Sequence, residues 1–411
     1  MKPLDQVLSE IDSSKDDIIS MMMGMIRIPA IAPESGGSGE GKKADFLMER
    51  LQGYDEVRRI EVQDSFDPSV TRPNILARKI GPKKGTVWIV AHMDVVPVVD
   101  LEKWDSPPFD PVCKDGRIYG RGAEDNGQAV ISSFFAARPL LFEKLNGMSI
   151  GLAYVADEET TSEMGIGYLV DNDYFTEDDV IVVPDWGSPN GTRIWLSEKN
   201  LLWLRFDIEG KSVHGSTPHK GINAFRVSTY LLADLMDELA ERFDLQDPMF
   251  SPPFSTFEPT KRPATVDNVN TIPGTDSFFM DVRLLPSYSM DDVIQAAEEV
   301  AKIHSERSGA RITVSEIQRN LSGAPSSTDS LGFRALSDAV EHITGTRPVP
   351  SGTGGATCAN FFRLKGLDAY VWQCGGGTLH GPNEYVELSN LMTDCKVFAT
   401  LFYNLCLKGE E

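Results

Sequence analysis

Thr86-Val87-Trp88-Ile89-Val90-Ala91-His92-Met93-Asp94 is the stretch on which the fold turns. Residues 87–91 are all apolar, so neither face of an extended chain through them can stand in water, and 86–91 reads as a strand covered on both sides. Residues 148–156, with Ser149 the one hydroxyl before Tyr154, and the all-apolar 180–183 continue the pattern, 74–77 add another strand, and a helical pattern over 128–145 lies among them. Strands buried on both faces and separated by helices predict an α/β layered domain. Toward the N-terminus, Val7, Ile11, Ile18, Ile19 and Met22 recur at helical spacing, so 4–28 reads as one amphipathic helix. A Gly/Ser-rich loop (34–41) and a second helix near 43–51 follow.

Past residue 196 the pattern changes. A strand (201–208), a helix (223–243), two strands (264–270 and 277–284), a helix (290–307) and a strand (311–317) give the β-α-β-β-α-β order of a ferredoxin-like module. The first pattern then resumes with a helix at 330–344, a strand at 369–374 and a last helix at 389–407. The expected architecture is one α/β domain (1–196 and 320–411) interrupted by a smaller inserted α+β domain (197–319).

Composition narrows the function. With 61 acidic against 39 basic side chains the net charge is -22, which opposes a nucleic-acid partner because such affinity comes from cationic side chains releasing counterions. No run of about 18 apolar residues exists to span a bilayer. The start Met1-Lys2-Pro3-Leu4-Asp5 turns acidic too soon for a signal peptide, so a cytoplasmic protein is expected. Five cysteines, an odd count without a C-x-x-C pair, read as reduced, mostly buried thiols and not as a disulfide framework.

The chemistry gathers at strand ends. His92 and Asp94, two apart in an extended chain, face the same way, so the carboxylate can orient a metal-binding imidazole; a lone pair of this kind is more often a hydrogen-bonded histidine at a strand end. Asp125 stands in a Gly-rich turn, Gly120-Arg121-Gly122-Ala123-Glu124-Asp125, where a helix cap is the plainer reading. Asp157-Glu158-Glu159 puts three anions in a row at the end of a buried strand, which is costly unless cations are near. Asp185 follows another apolar strand, and His380 sits in the glycine-rich loop after the strand ending at Cys374. Together these make a mixed nitrogen and oxygen set that suits Zn²⁺ and tolerates Co²⁺ or Mn²⁺. His304 and His342 read as surface residues of helices. The string Gly147-Met148-Ser149-Ile150-Gly151 matches a nucleophile elbow only literally, since it opens a strand where an elbow must open a helix.

The segments His92-Met93-Asp94-Val95-Val96-Pro97, Tyr119-Gly120-Arg121-Gly122-Ala123 with Asp125, Ala156-Asp157-Glu158-Glu159-Thr160 and His380 resemble, in order, the signatures of the M20 family of dinuclear-zinc peptidases and amidohydrolases. The resemblance implies that Asp125 bridges two divalent ions, with His92 and Asp185 completing one site and Glu159 and His380 the other. Glu158 would be the general base, and Asp94 would orient His92. In the inserted module, Gly210-Lys211-Ser212-Val213-His214-Gly215 and Asn268-Val269-Asn270-Thr271-Ile272-Pro273 resemble the family's lid motifs. They imply a homodimer through that module, with His214 from the partner subunit stabilising the oxyanion and Asn268 near the substrate. Arg283 matches an arginine that holds a substrate carboxylate, although Asp281-Val282-Arg283 also allows a simple salt bridge along the strand. Gly352 and Thr353 fall in the expected substrate loop.

Two departures from the family pattern bear on substrate choice: Asn126-Gly127-Gln128 replaces the usual residues after the bridging aspartate, and Ser351–Cys358 lacks the aspartate many relatives carry. Asp185, where desuccinylases and deacetylases have glutamate, is closer to the dipeptidases. The expectation is a hydrolase of an amide or peptide bond in a small carboxylate-bearing substrate, dipeptidase- or carboxypeptidase-like. An N-acyl amino-acid deacylase is the alternative, and a non-catalytic small-molecule binding protein is a third reading.

Overall fold

A computed structural model describes residues 1–409. The chain forms two compact units. The larger comprises Met1–Leu196, Pro325–Ser351 and Thr357–Glu411, apart from the last two residues; the smaller comprises Ser197–Ala324 and Gly352–Ala356.

In the larger unit an eight-stranded sheet runs in the order Glu56–Gln63, Thr71–Lys79, Ser149–Val155, Thr86–His92, Val180–Val183, Ala369–Val371, Arg193–Glu198, Val349–Thr353. The four central strands are parallel to one another and every residue in them is buried. Alternation decides which side each residue serves: Val87, Ile89 and Ala91 join the hydrophobic cluster on one face, while Trp88 and Val90 join the other. Helices cover both faces, so the sheet is the middle of three layers. Because the central strands are parallel, their carboxyl ends share one edge, where α/β sheets bind ligands.

In the smaller unit a four-stranded antiparallel sheet has the order Thr256–Lys261, Thr275–Leu284, Asn200–Glu209, Arg311–Asn320. Leu202, Leu204, Phe206 and Ile208 alternate into a core shared with the helices Ala224–Arg242 and Met290–Ser308. Phe206 and Phe278, opposite each other in the register, stack with centroids 4.5 Å apart.

Several local expectations are corrected. The stretch 4–28 is two helices, Leu4–Ser13 and Lys15–Ile26; Ser13 and Ser14 each turn a hydroxyl back onto a carbonyl four residues earlier, a bond that competes with helix continuation. The helix expected over 128–145 ends as an α-helix at Ala137, before Pro139. The second strand of the smaller unit's sheet in chain order is Thr256–Lys261 and not 264–270. Pro259 sits where the register shifts, and an edge strand tolerates a residue with no N–H there. His304 is buried, its Nε2 2.9 Å from Asp234 Oδ2, and Cys113 is exposed. Ser149 opens a strand and is buried, with its Oγ accepting the Gly81 N–H at 3.1 Å.

One buried acid couples this core to pH. Asp394, on the helix Leu388–Phe402, accepts the Cys374 N–H at 3.0 Å and Gln128 Nε2 at 2.6 Å. Burial pushes its carboxyl from the ordinary 3.8 up to about 7, against the opposing hydrogen bonds. The folded chain therefore keeps a proton that the unfolded chain has released, and the stability from Asp394 is complete below the ordinary value and lost as pH rises to about 7. Over that window the loss amounts to as much as about 4 kcal/mol. Urea midpoints at pH 4.5 and 7.5 should fall with pH more steeply in the wild type than in Asp394→Asn; parallel slopes would remove Asp394 as the source.

Candidate metal centre

Four loops leave the shared edge of the sheet and converge. His92 is the last residue of Thr86–His92 and is fixed by its strand. Asp125 lies in the turn Ala123–Gly127, entered through Gly122 at φ 79, a left-handed conformation that glycine adopts without penalty. Glu158 and Glu159 follow Ser149–Val155, Asp185 follows Val180–Val183, and His380 lies in the loop after Ala369–Val371. That loop contains Gly375, Gly376 and Gly377, all at positive φ.

The structure brings all seven of the larger unit's expected site residues together. His92 Nε2 is 2.9 Å from Asp125 Oδ1, 3.4 Å from Asp185 Oδ1 and 3.9 Å from Glu158 Oε2. His380 Nε2 is 3.0 Å from Asp125 Oδ2 and 3.1 Å from Glu159 Oε2. Asp125 thus offers one oxygen to each histidine. The donors of His92, Asp125 and Asp185 lie within 4.8 Å of one another, and so do those of Asp125, Glu159 and His380.

Asp94 does more than stand beside His92. Its carboxylate oxygens accept the N–H groups of Glu158 (3.1 Å) and Glu159 (2.9 Å), while His92 Nδ1 lies 3.1 Å from the Asp94 carbonyl and 3.5 Å from Oδ1. One buried aspartate therefore ties the imidazole to the loop of the two glutamates.

Electrostatics show what the cluster lacks. Burial resists a charge on His92, yet Asp125, Asp185 and Asp94 together hold its pKa well above the ordinary value. Bonds to Asp125 and Glu159 push His380 up to about 10. Burial and then the charge of Asp185 hold Glu158 well above the carboxylate range, and burial and then Asp125 raise Glu159 to about 7. Five acids share two imidazoles, and protons stand in for cations. Glu159 Oε1 is buried with no hydrogen-bond partner. An uncompensated acid cluster with an orphaned oxygen and two imidazole nitrogens has the composition that a divalent ion satisfies.

Several residues that sequence reasoning left without a role hold these loops. Glu384 accepts N–H groups from Gly122 (3.0 Å), Glu124 (2.9 Å) and Asp125 (3.0 Å), and Arg121 Nη1 at 2.7 Å; Arg121 Nη2 donates to the His380 carbonyl at 3.1 Å. Glu124 accepts both the N–H and the hydroxyl of Thr378. Asn126 Nδ2 donates to the Pro184 carbonyl at 2.7 Å and to Asp185 Oδ1 at 3.3 Å. The only sequence signal for Glu384 is its place four residues after His380.

The remaining expected residues belong to the smaller unit. His214 is exposed, its Nδ1 2.8 Å from Ser216 Oγ, and Asn268 is exposed and bonds Asn270 at 2.8 Å. Arg283 spends Nε and Nη2 on Asp281 (2.8 and 3.1 Å) and Nη1 on the Gly354 carbonyl (2.8 Å), which is the salt bridge along the strand that its spacing allowed. Gly352 N–H donates to the Met249 carbonyl at 2.7 Å and the Thr353 carbonyl accepts the Lys199 N–H at 2.9 Å, so the backbone of this loop is occupied within the unit.

Fold and site together define a metallohydrolase. Residues 88–404 match the model of peptidase family M20/M25/M40, and the chain belongs to that family and is a hydrolytic enzyme. It is 36% identical to an uncharacterised metallohydrolase of Methanococcus maripaludis over 93% of this chain and 98% of that one. It is 28% identical to the succinyl-diaminopimelate desuccinylase of Cereibacter sphaeroides, over 91% and 95% of the two chains. Human carnosine dipeptidase 1 shares the fold, with a TM-score of 0.69 at 18% identity over 97% and 99%. Membership in this family implies divalent metal ions. Among the described residues no helix is long and apolar enough to cross a membrane.

Proposed function

We propose that the enzyme hydrolyses the amide or peptide bond of a small carboxylate-bearing substrate, with Glu158 as general base and two divalent ions, zinc or alternatively cobalt or manganese, held by His92, Asp125 and Asp185 and by Asp125, Glu159 and His380. The observation that carries this reading is the single carboxylate of Asp125 standing between two donor groups, one oxygen toward each histidine. The chemistry that bound ions supply is Lewis acidity, which polarises a carbonyl and lowers the pKa of water. Glu158 takes the proton of the attacking water and delivers it to the leaving nitrogen; burial and the neighbouring charge of Asp185, which outweigh the pull of His92, suit it to hold a proton between the two transfers. Asp94 keeps Glu158 in place through its N–H and keeps His92 oriented through Nδ1.

A dipeptidase- or carboxypeptidase-like activity is the preferred reading, supported by Asp185 in place of a glutamate. The 28% identity to a desuccinylase favours N-acyl amino-acid deacylation as the second. The smaller unit supplies dimerisation, with His214 reaching the partner's site and Arg283 and Asn268 meeting substrate, on the strength of the resemblance alone. Arg283 would then have to exchange Asp281 for the substrate carboxylate.

The test is amine release from a panel of dipeptides, N-acetyl and N-succinyl amino acids, with Zn²⁺- or Co²⁺-loaded and chelated protein. Chelator-sensitive release is the expected result, and the reacting class separates the two readings. Release that survives complete metal removal would defeat both.

A further inference from the structure

Asp157, Glu158 and Glu159 are adjacent in sequence yet serve two opposite neighbourhoods. Glu158 and Glu159 turn toward the metal centre, with their N–H groups on Asp94. Asp157 turns away and is fully buried, with a backbone at φ 68, a conformation few non-glycine residues adopt. Its carboxylate accepts Thr160 Oγ1, Thr161 Oγ1 at 2.7 Å and the Met164 N–H at 3.0 Å, and lies 3.3 Å from Arg72 Nη1.

Arg72 is itself fully buried and fully engaged. Nε and Nη2 fork onto Glu40 at 2.8 and 2.6 Å, and Nη1 reaches Asp64 at 3.0 Å as well as Asp157. Glu40 closes the ring by accepting the Asp157 N–H at 3.3 Å. Sheet register explains the meeting. Thr71–Lys79 runs antiparallel to Ser149–Val155 with Ile75 opposite Tyr154, so continuing the pairing three residues sets Arg72 opposite Asp157. Close approach reinforces the turn, since a Cβ on Gly165 would lie 1.8 Å from the Ala156 carbonyl oxygen.

We propose that Arg72, through Asp157 and with Glu40 and the Thr161 hydroxyl, is a positioning anchor that holds the 157–161 turn so that Glu158 points at the reacting water. The inference rests on the reading of Glu158 as the base. Neither Arg72 nor Thr161 is within hydrogen-bonding reach of a proposed metal donor; each acts through Asp157. A misaimed base costs turnover and leaves substrate affinity in place, so the signature is a fall in kcat at nearly constant KM.

The test compares Arg72→Lys, Thr161→Val and Thr161→Ser with Glu158→Gln, on the most rapidly cleaved member of the dipeptide and N-acyl panel, with bound metal counted in each. Arg72→Lys keeps the charge but loses the fork; Thr161→Val is nearly isosteric and stands in if the arginine variant does not fold. Expected are a kcat lowered about 10-fold or more in both, KM within about 2-fold, unchanged metal content, and recovery in Thr161→Ser, which restores the hydroxyl. In the same variants, backbone hydrogen exchange across 157–162 should quicken while the central strands keep their protection, a readout that needs no substrate. Folded Arg72→Lys or Thr161→Val protein with wild-type kcat and exchange, beside an inactive Glu158→Gln, would overturn the anchor alone. Wild-type kcat in Glu158→Gln would overturn the base and the anchor with it.

Discussion

Glu158→Gln is expected to lower turnover by about 10² to 10⁴-fold while leaving both ions bound. The argument is one of separation. Glu158 belongs to neither of the two donor groups, its nearest histidine contact being 3.9 Å from His92 Nε2, so its loss removes no donor from either. Its backbone N–H stays on Asp94, and the amide keeps the side chain's size, so the turn has no reason to move. What disappears is proton transfer. Ion content measured beside kcat distinguishes this from damage to the site: a variant that loses an ion makes Glu158 a donor in disguise, and one that keeps wild-type turnover removes it from the chemistry. The same change takes one anion from a cluster in which five acids share two imidazoles, so metal affinity should fall slightly if it moves at all.

The contrast between what the chain announces and what it conceals is physical. The strand 86–92 was legible because burial on both faces leaves a continuous apolar run, and the acids after such runs stand out for lying where a parallel sheet ends. The edge strand Glu56–Gln63 has five charged or polar residues among eight and shows no such run; Thr256–Lys261 contains a proline, which argues against a strand unless it lies on an edge. His304 looked like a surface residue because nothing local foretells Asp234, seventy positions away. Buried charges are hidden for the same reason. Arg72, Glu40, Arg121 and Glu384 carry the commonest surface side chains, and only their partners, 32 to 263 residues apart, reveal that they are interior. The candidate donors were readable from type and position; the groups that hold their loops became visible only when the register was known.

Glu384→Ala should cost about 3 to 5 kcal/mol, a large part of the 5 to 15 kcal/mol by which a domain is usually stable. The side chain is completely buried and accepts four donors: the N–H groups of Gly122, Glu124 and Asp125, and Arg121 Nη1. Removing it strands a buried guanidinium and three buried N–H groups that water cannot reach, a heavier penalty than the loss of a surface pair. The damage should also be specific. The Asp125 turn and the His380 loop are the two segments this pair joins, through the Asp125 N–H and the His380 carbonyl, so metal should be weakened most where Asp125, Glu159 and His380 meet. Pairing Glu384→Gln with Arg121→Met separates charge from shape: the amide oxygen still accepts the Glu124 and Asp125 N–H groups and the thioether needs no partner, so the double variant should recover part of the stability that Glu384→Ala loses, the Gly122 N–H being left opposite the amide nitrogen. Urea midpoints and metal titrations of the three proteins decide the matter. A loss below about 1 kcal/mol in Glu384→Ala would mean that the turn holds its own shape, and that the Asp125 donor is set by Gly122 and the chain alone.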